Sequence, residues 1–213
     1  MADLDAPFFV KICGVTTLSD ANASIDLGAD AVGLILATSP RQLSLDRALA
    51  IAEAIKGRVQ RTLVFRDNSD EQIVEAVRLI QPDAVQIHGP LSDDLLSRLR
   101  EDHVDVIKAL SIGSDEFYDF DDARVDAVMV DGATPGSGES HSWAQLAERP
   151  FTVPVIAAGG LNATNVADVI GASSVWGVDS ASGVEATPGV KDRDKMEQFI
   201  YNAHVAFRER VNS

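Results

Sequence analysis

A lysine and a cysteine stand two residues apart in the first apolar run of the chain, Phe8-Phe9-Val10-Lys11-Ile12-Cys13-Gly14. In an extended strand, residues at this spacing share a face, so Lys11 and Cys13 point the same way. An ammonium beside a thiol favours the thiolate, the form that takes a proton or attacks carbon. The spacing recurs at Gln86 and His88 in Val85-Gln86-Ile87-His88-Gly89, and carboxylates end two later apolar runs at Asp131 and Asp179. Thiolate, imidazole and carboxyl are the groups from which general acid–base catalysis is built. Yet Cys13 is the only cysteine, and a lone cysteine is often a small buried hydrophobe. Taken alone, Cys13 is open to both readings, and the decision rests on what converges with it.

Eight short apolar runs could carry these groups, at 8–13, 30–36, 60–65, 83–87, 104–109, 125–130, 153–157 and 174–178. Between them lie segments of helical spacing. The first is Leu18, Ala21, Ile25 before Gly28, and the second starts at Ser44 and repeats through Ile55. The third opens with Ser69-x-x-Gln72, a capping box, and the fourth uses Leu95, Leu96 and Leu99. A weak acidic stretch follows at 115–122, then a short segment after Trp143. The seventh takes Asn162 as its cap, and the last runs Met196, Phe199, Ile200, Ala203. An internal echo, Asp30-Ala31-Val32, Asp83-Ala84-Val85 and Asp126-Ala127-Val128, marks strand starts at intervals of one or two units. This alternation predicts one α/β domain over residues 1–213, a (β/α)8 barrel. A doubly wound open sheet is the alternative, but a dinucleotide-binding one wants G-x-G-x-x-G after its first strand. Here that turn is Cys13-Gly14-Val15-Thr16.

In such a barrel the chemistry sits at the C-terminal ends of the strands. Lys11 and Cys13, Gln86 and His88, Lys108, Asp131 and Asp179 all fall there, which predicts a site on that rim. Glycine-rich loops follow the last two strands, Ala158-Gly159-Gly160-Leu161 and Asp179-Ser180-Ala181-Ser182-Gly183. Loops at these two places often hold a phosphate through backbone N–H groups. Together they predict a phosphorylated ligand. Arg41, in the loop after the second strand, is either a fork for a carboxylate or a solvated side chain. The loop from Gly132 to His141 is rich in small residues and reads as a flexible cover over the site or as a plain surface loop.

Bulk properties narrow the field. The chain has 213 residues, 46% hydrophobic and 24% charged, with aromatics at only 6%. Aliphatic dominance suits strands buried on both faces. A net charge of −15 argues against nucleic acid and anionic membranes as partners. One cysteine allows no internal disulfide and fits a reducing compartment. Residues 1–7 lack the basic-then-apolar pattern of a secretion signal, and no apolar run is long enough to span a membrane. A cytoplasmic protein is therefore expected. His88, His103, His141 and His204 show no zinc-ligand spacing, and neither a nucleophile elbow nor a Walker loop is present.

The strand-end residues together resemble a known family, the phosphoribosylanthranilate isomerases of tryptophan biosynthesis. The matching pieces are Lys11-Ile12-Cys13-Gly14, Ser39-Pro40-Arg41, Gln86-Ile87-His88-Gly89, Gly136-Ser137-Gly138 with Trp143, Ala158-Gly159-Gly160-Leu161, Gly177-Val178-Asp179, and Ser182-Gly183-Val184-Glu185 with Pro188-Gly189-Val190-Lys191-Asp192. The resemblance implies a (β/α)8 barrel that carries out an Amadori rearrangement of a phosphoribosyl amine without metal or organic cofactor. It implies Cys13 as general base and Asp131 as general acid. Arg41 would hold the substrate carboxylate, with Lys11, Gln86 and His88 also lining the substrate, and Gly159, Gly160, Asp179, Ser182 and Gly183 would surround the phosphate. These roles call for a Cys13 pKa shifted down, by Lys11, and an Asp131 pKa shifted up, by burial. Monomer and homodimer are both compatible with the resemblance. Isomerisation of another phosphosugar and non-catalytic binding of a phosphate ligand are the alternatives.

The chain departs from the family pattern in four places, one of them the phosphate loop, where Ser180-Ala181-Ser182 stands in place of the usual Val-Ser-Ser. Val64-Phe65-Arg66-Asp67-Asn68 replaces a Val-Phe-Val-Asn pattern, and Leu34-Ile35-Leu36-Ala37-Thr38 lacks the usual phenylalanine. In the 132–142 loop, Glu139 and His141 replace a lysine and a phenylalanine. Loss of a cation and an aromatic predicts a raised KM more than a slowed chemical step.

Overall fold

The computed structural model describes residues 8–132 and 143–211. Eight parallel strands close a barrel in chain order: β1 Phe9–Cys13, β2 Ala31–Ile35, β3 Gln60–Arg66, β4 Ala84–His88, β5 Asp105–Ser111, β6 Ala127–Asp131, β7 Val155–Ala158 and β8 Gly177–Ser180. The β8–β1 seam sets Lys11 opposite Asp179. Closure rules out the open sheet. The outer ring is α1 Leu18–Asp26, α2 Leu45–Ala54, α3 Asp70–Ile80, α4 Asp93–Glu101, α5 Asp115–Asp119, α6 Val166–Ala172 and α7 Arg193–Val211.

The first five helices start on a hydroxyl. Thr17, Ser44, Ser69, Ser92 and Ser114 each accept a backbone N–H from the first helical turn. Each such cap stabilises by about 1 kcal/mol. The Ser69–Gln72 box closes in both directions. These caps fix where each loop at the C-terminal rim ends, and so hold the rim in place.

Strand alternation sorts the side chains into two layers. Val10, Ile12, Val32, Leu63, Val85 and Val106 face outward into the large core beneath the helices. Phe9, Ala31, Ala84, Ile107, Ala127, Met129 and Ile156 fill the barrel interior. Burial of each large aliphatic side chain contributes roughly 1.5–3 kcal/mol. The small inward residues leave room above them at the C-terminal end.

The Asp-Ala-Val echo is structural. Asp30, Asp83 and Asp126 each accept, at 2.8 Å, the backbone N–H of Val10, Arg61 and Val106 at the starts of β1, β3 and β5. Each also returns its own N–H to the carbonyl of that residue. The repeat is thus a strand-start clamp at the N-terminal rim. The last even strand breaks it, because Trp176 stands there and stacks on Phe9 with centroids 4.7 Å apart.

Several expectations are corrected. The last strand begins at Gly177, not 174, since Val175 is buried outside the barrel and Trp176 is taken by Phe9. Asn162 does not cap α6. Its carboxamide holds the Thr164 N–H one turn earlier, and α6 starts at Val166 without a side-chain cap. The segment after Trp143 is a 3-10 turn, Trp143–Ala147. A hairpin of β9 Glu185–Thr187 and β10 Val190–Lys191 lies where no strands were expected. Lys108 alternates with the inward Ile107 and Ala109, so it points away from the barrel interior and pairs with Glu116 at 2.7 Å. The expected cover, with Glu139 and His141, lies outside the described residues.

Candidate active site

A cavity of about 270 Å³ opens at the C-terminal rim, lined by Cys13, Arg41, Gln86, His88 and Asp131 and by Gly159, Gly160 and Ser182. Cys13, Gln86, His88 and Asp131 reach one space because each sits on an inward position of its strand, and Arg41, Gly159, Gly160 and Ser182 join them from beyond the strand ends. Lys11 and Gly183 do not line it. Lys11 is fully buried beneath the floor. Gly183 packs behind the rim, where a Cβ would lie 1.9 Å from the Leu161 carbonyl oxygen.

Under the floor, Lys11 Nζ donates to Asp179 Oδ1 at 2.8 Å and to Gln86 Oε1 at 3.0 Å. Burial works to discharge the Lys11 ammonium, but Asp179 and Cys13 outweigh it and hold its pKa above the ordinary value. Lys11 therefore stays charged. Asp179 lines the cavity, but its charge is matched to Lys11, and a carboxylate repels a phosphate. Its side chain serves as counter-ion to Lys11.

Cys13 also corrects an expectation. Burial raises its pKa above that of an ordinary thiol; Lys11 and Lys191 pull it down, and Asp179 pushes with burial. The neighbouring ammonium was legible in the sequence, but full enclosure of the sulfur and the Asp179 charge were not. Space for that sulfur comes from Gly33 on β2. A Cβ there would lie 2.7 Å from Cys13 Sγ and 3.2 Å from Lys11 Nζ.

Across the cavity, burial and then Asp179 push the Asp131 carboxyl up to about 6, against the pull of Arg66 and Lys11. The upward direction agrees with the expectation. His88 stands between them: its Nε2 is 2.7 Å from Gln86 Nε2, and its Nδ1 is 3.1 Å from Arg66 Nη2 and 3.9 Å from Asp131 Oδ2. Burial, then Arg66, Lys11 and Lys108, lower its pKa to about 4, so the imidazole is neutral near pH 7.

Arg41 is held from behind. Its Nε and Nη2 donate to Glu185 Oε1 and Oε2 at 2.6 and 2.7 Å. Lys191 adds a third bond to Glu185 at 3.1 Å. Burial works to protonate Glu185, yet the Arg41 hydrogen bond and Lys191 keep its pKa below the ordinary carboxyl value. A guanidinium has five N–H donors, so the Nη1–Nη2 edge of Arg41 stays available for a second carboxylate. Gly159 and Gly160 line the same cavity, at φ of +89° and +70°. Only glycine takes this conformation without strain, and a Cβ on Gly159 would lie 2.8 Å from the Gly132 nitrogen.

Sequence reasoning missed Arg66, Gly33 and the Glu185–Lys191 support. Arg66 was hidden by ending the third strand at 65; one residue more puts it inward with Thr62 and Val64. Glycine inside an apolar strand often marks a close approach, and that signal was present at Gly33. Glu185 and Arg41 are 144 residues apart, and no local pattern pairs them.

Residues 10–202 match the family model described as N-(5'phosphoribosyl)anthranilate (PRA) isomerase. A protein of Natronomonas pharaonis named N-(5'-phosphoribosyl)anthranilate isomerase is 39% identical over 201 residues, covering 90% of this chain and 95% of that one. The crystal structure of phosphoribosyl anthranilate isomerase from Thermotoga maritima superposes with a TM-score of 0.81 at 34% identity, covering 93% of this chain and 99% of that one. Another such structure, in complex with reduced 1-(o-carboxyphenylamino)-1-deoxyribulose 5-phosphate, gives 0.77 at 31% identity, with coverage of 93% and 99%. By its matched motifs, its closed barrel and these relatives, the chain belongs to the N-(5'-phosphoribosyl)anthranilate isomerase family.

Proposed function

We propose that Cys13 and Asp131 carry the reaction of this family, the rearrangement of N-(5-phosphoribosyl)anthranilate to 1-(2-carboxyphenylamino)-1-deoxyribulose 5-phosphate in tryptophan biosynthesis. Asp131 gives a proton to the furanose oxygen as the ring opens to a Schiff base. Cys13, as thiolate, takes the C2′ proton, and the enolamine tautomerises to the ketone. The two protons are reset through solvent. The observation that carries this reading is the common cavity: a thiol backed by a buried ammonium and a carboxyl with a raised pKa face one space. The productive form has the proton on Asp131 and the charge on Cys13, the reverse of their pKa order. Lys11 serves this form by lowering the cost of the thiolate.

The Nη1–Nη2 edge of Arg41 receives the anthranilate carboxylate, with Glu185 setting its direction. Gly159, Gly160 and Ser182 receive the phosphate, Gly183 lets that turn close against Leu161, and Gln86 and His88 border the sugar. The same reading makes the protein a cytoplasmic enzyme for a small phosphorylated substrate, with neither nucleic acid nor membrane as partner, acting as monomer or homodimer. Among the described residues no helix is long and apolar enough to cross a membrane.

The test is rescue of a tryptophan auxotroph that lacks this isomerase. The wild-type gene restores growth and Cys13→Ser does not. Failure of the wild type despite well-folded expression defeats the reading in favour of another phosphosugar.

A further inference from the structure

Lys11 sets the orientation of the amide that His88 meets beside Asp131. Lys11 is an ammonium, with donors and no acceptor. It lies 3.0 Å from the Gln86 carboxamide, so the atom facing it is the oxygen. The Gln86 NH2 group then faces His88 Nε2 at 2.7 Å. An amide nitrogen donates only, so Nε2 accepts and carries no proton. A neutral imidazole has a single N–H, which is left on Nδ1.

We propose that His88 is a positioning residue: Lys11, acting through Gln86, fixes its Nδ1–H tautomer and aims that N–H at the Asp131 carboxylate. Nδ1 is 3.9 Å from Asp131 Oδ2, roughly 1 Å beyond a formed hydrogen bond. Arg66 Nη2 lies 3.1 Å from the same Nδ1, but a guanidinium cannot accept, so two donors meet there and Arg66 cannot satisfy the imidazole. Asp131 is the acceptor in reach. An N–H donor favours the carboxylate over the carboxylic acid, so the bond strengthens as Asp131 releases its proton. The catalytic half of this proposal rests on Asp131 acting as the acid; the tautomer does not.

Nitrogen-15 NMR of the histidine rings in the intact protein near pH 7 reads the tautomer directly. His88, assigned by its loss in His88→Asn, shows a protonated Nδ1 and a bare Nε2. Gln86→Glu accepts from both sides and moves the proton to Nε2. A bare Nδ1 in the wild type overturns the proposal, whatever the enzyme turns over. The kinetic arm uses shape mimics, since an asparagine amide places its N–H near Nδ1 and a glutamine amide near Nε2. His88→Ala and His88→Gln each lower kcat about tenfold, and His88→Asn recovers to within about threefold of wild type, as expected for one restored hydrogen bond to a charge. The acid limb of kcat lies higher in His88→Gln than in His88→Asn. The other charges near the pair, Arg66 on β3, Lys11 on β1, Lys108 on β5 and Asp179 on β8, are the same in both variants. Equal kcat in the Asn and Gln variants overturns the catalytic half. A wild type with the Nδ1–H tautomer and no isomerase activity defeats the proposed function and leaves the tautomer standing.

Discussion

Two aspartates at opposite rims of one barrel, Asp83 and Asp131, behave in opposite ways. At the N-terminal rim, Asp83 binds the Arg61 backbone N–H at 2.8 Å and the Arg61 guanidinium at 2.9 Å. Burial works to raise its pKa, but these bonds outweigh it and hold the carboxyl below the ordinary value. At the C-terminal rim, Asp131 has no side-chain hydrogen bond among the described residues, and its pKa rises to about 6. Both side chains are partly buried and both sit at strand ends. The difference lies in the donors delivered to Asp83 and in the like charge of Asp179 beside Asp131. Asp83, bonded to the Arg61 backbone and guanidinium, clamps the barrel; Asp131, without such donors, keeps a proton to give.

The largest effects should fall on chemistry at the C-terminal rim. Cys13→Ser and Asp131→Asn each lower kcat at least a hundredfold, in line with lost general acid–base catalysis, with unchanged circular dichroism. Near-normal turnover in either variant breaks the contrast at its stronger end.

The N-terminal rim should answer in stability. Asp83→Ala leaves the buried Arg61 guanidinium without its carboxylate and removes the strand clamp. It should cost about 3 kcal/mol in urea unfolding, with kcat within about twofold of wild type. A large fall in kcat with little loss of stability would mean the two rims are not functionally separate.

Gly33→Ala sharpens the comparison, because it presses on the Cys13 sulfur and the Lys11 ammonium without adding or removing a charge. A Cβ 2.7 Å from Cys13 Sγ must displace the thiol, and a displacement of that kind costs about tenfold or more in kcat. The rate of thiol alkylation should change with it. Wild-type kcat in this variant would show that the sulfur has room the packing does not suggest.

pH dependence gives the finest test. Because the productive form carries a single proton, on Asp131 and not on Cys13, kcat/KM is bell-shaped, with its acid limb near 6 from Asp131. Asp131→Asn abolishes that limb. The same carboxyl leaves a small stability signature. Its pKa is about 6 in the fold against an ordinary 3.8, so the folded state binds the proton more tightly. Its stabilising contribution is present below 3.8 and is lost as pH rises through 6. The Tm advantage of Asp131→Asn over wild type should therefore be larger at pH 8 than at pH 4.

Much of the rim was legible before the fold was known. Strand–helix alternation placed the barrel, and strand-end position singled out Cys13, His88 and Asp131, because period-two alternation and the C-terminal rim rule are local and additive. The clamps were legible as a repeat but not as clamps, since the N–H groups they bind belong to strands about twenty residues earlier. Arg66 was lost to a strand end misplaced by one residue.

By itself the sequence determined that Lys11, Cys13, Gln86, His88 and Asp131 share the inward face at their strand ends, and the family whose motifs they spell. Only the tertiary structure decided whom they meet. Lys11 is 168 residues from Asp179 and 75 from Gln86, and the closed register of β8, β1 and β4 brings them together. That same closure dries the site. A sequence neighbour argues that Lys11 lowers the Cys13 pKa; burial by eight strands pushes it the other way and wins, because desolvation acts on the whole ion while Lys11 divides its charge between the thiol and Asp179.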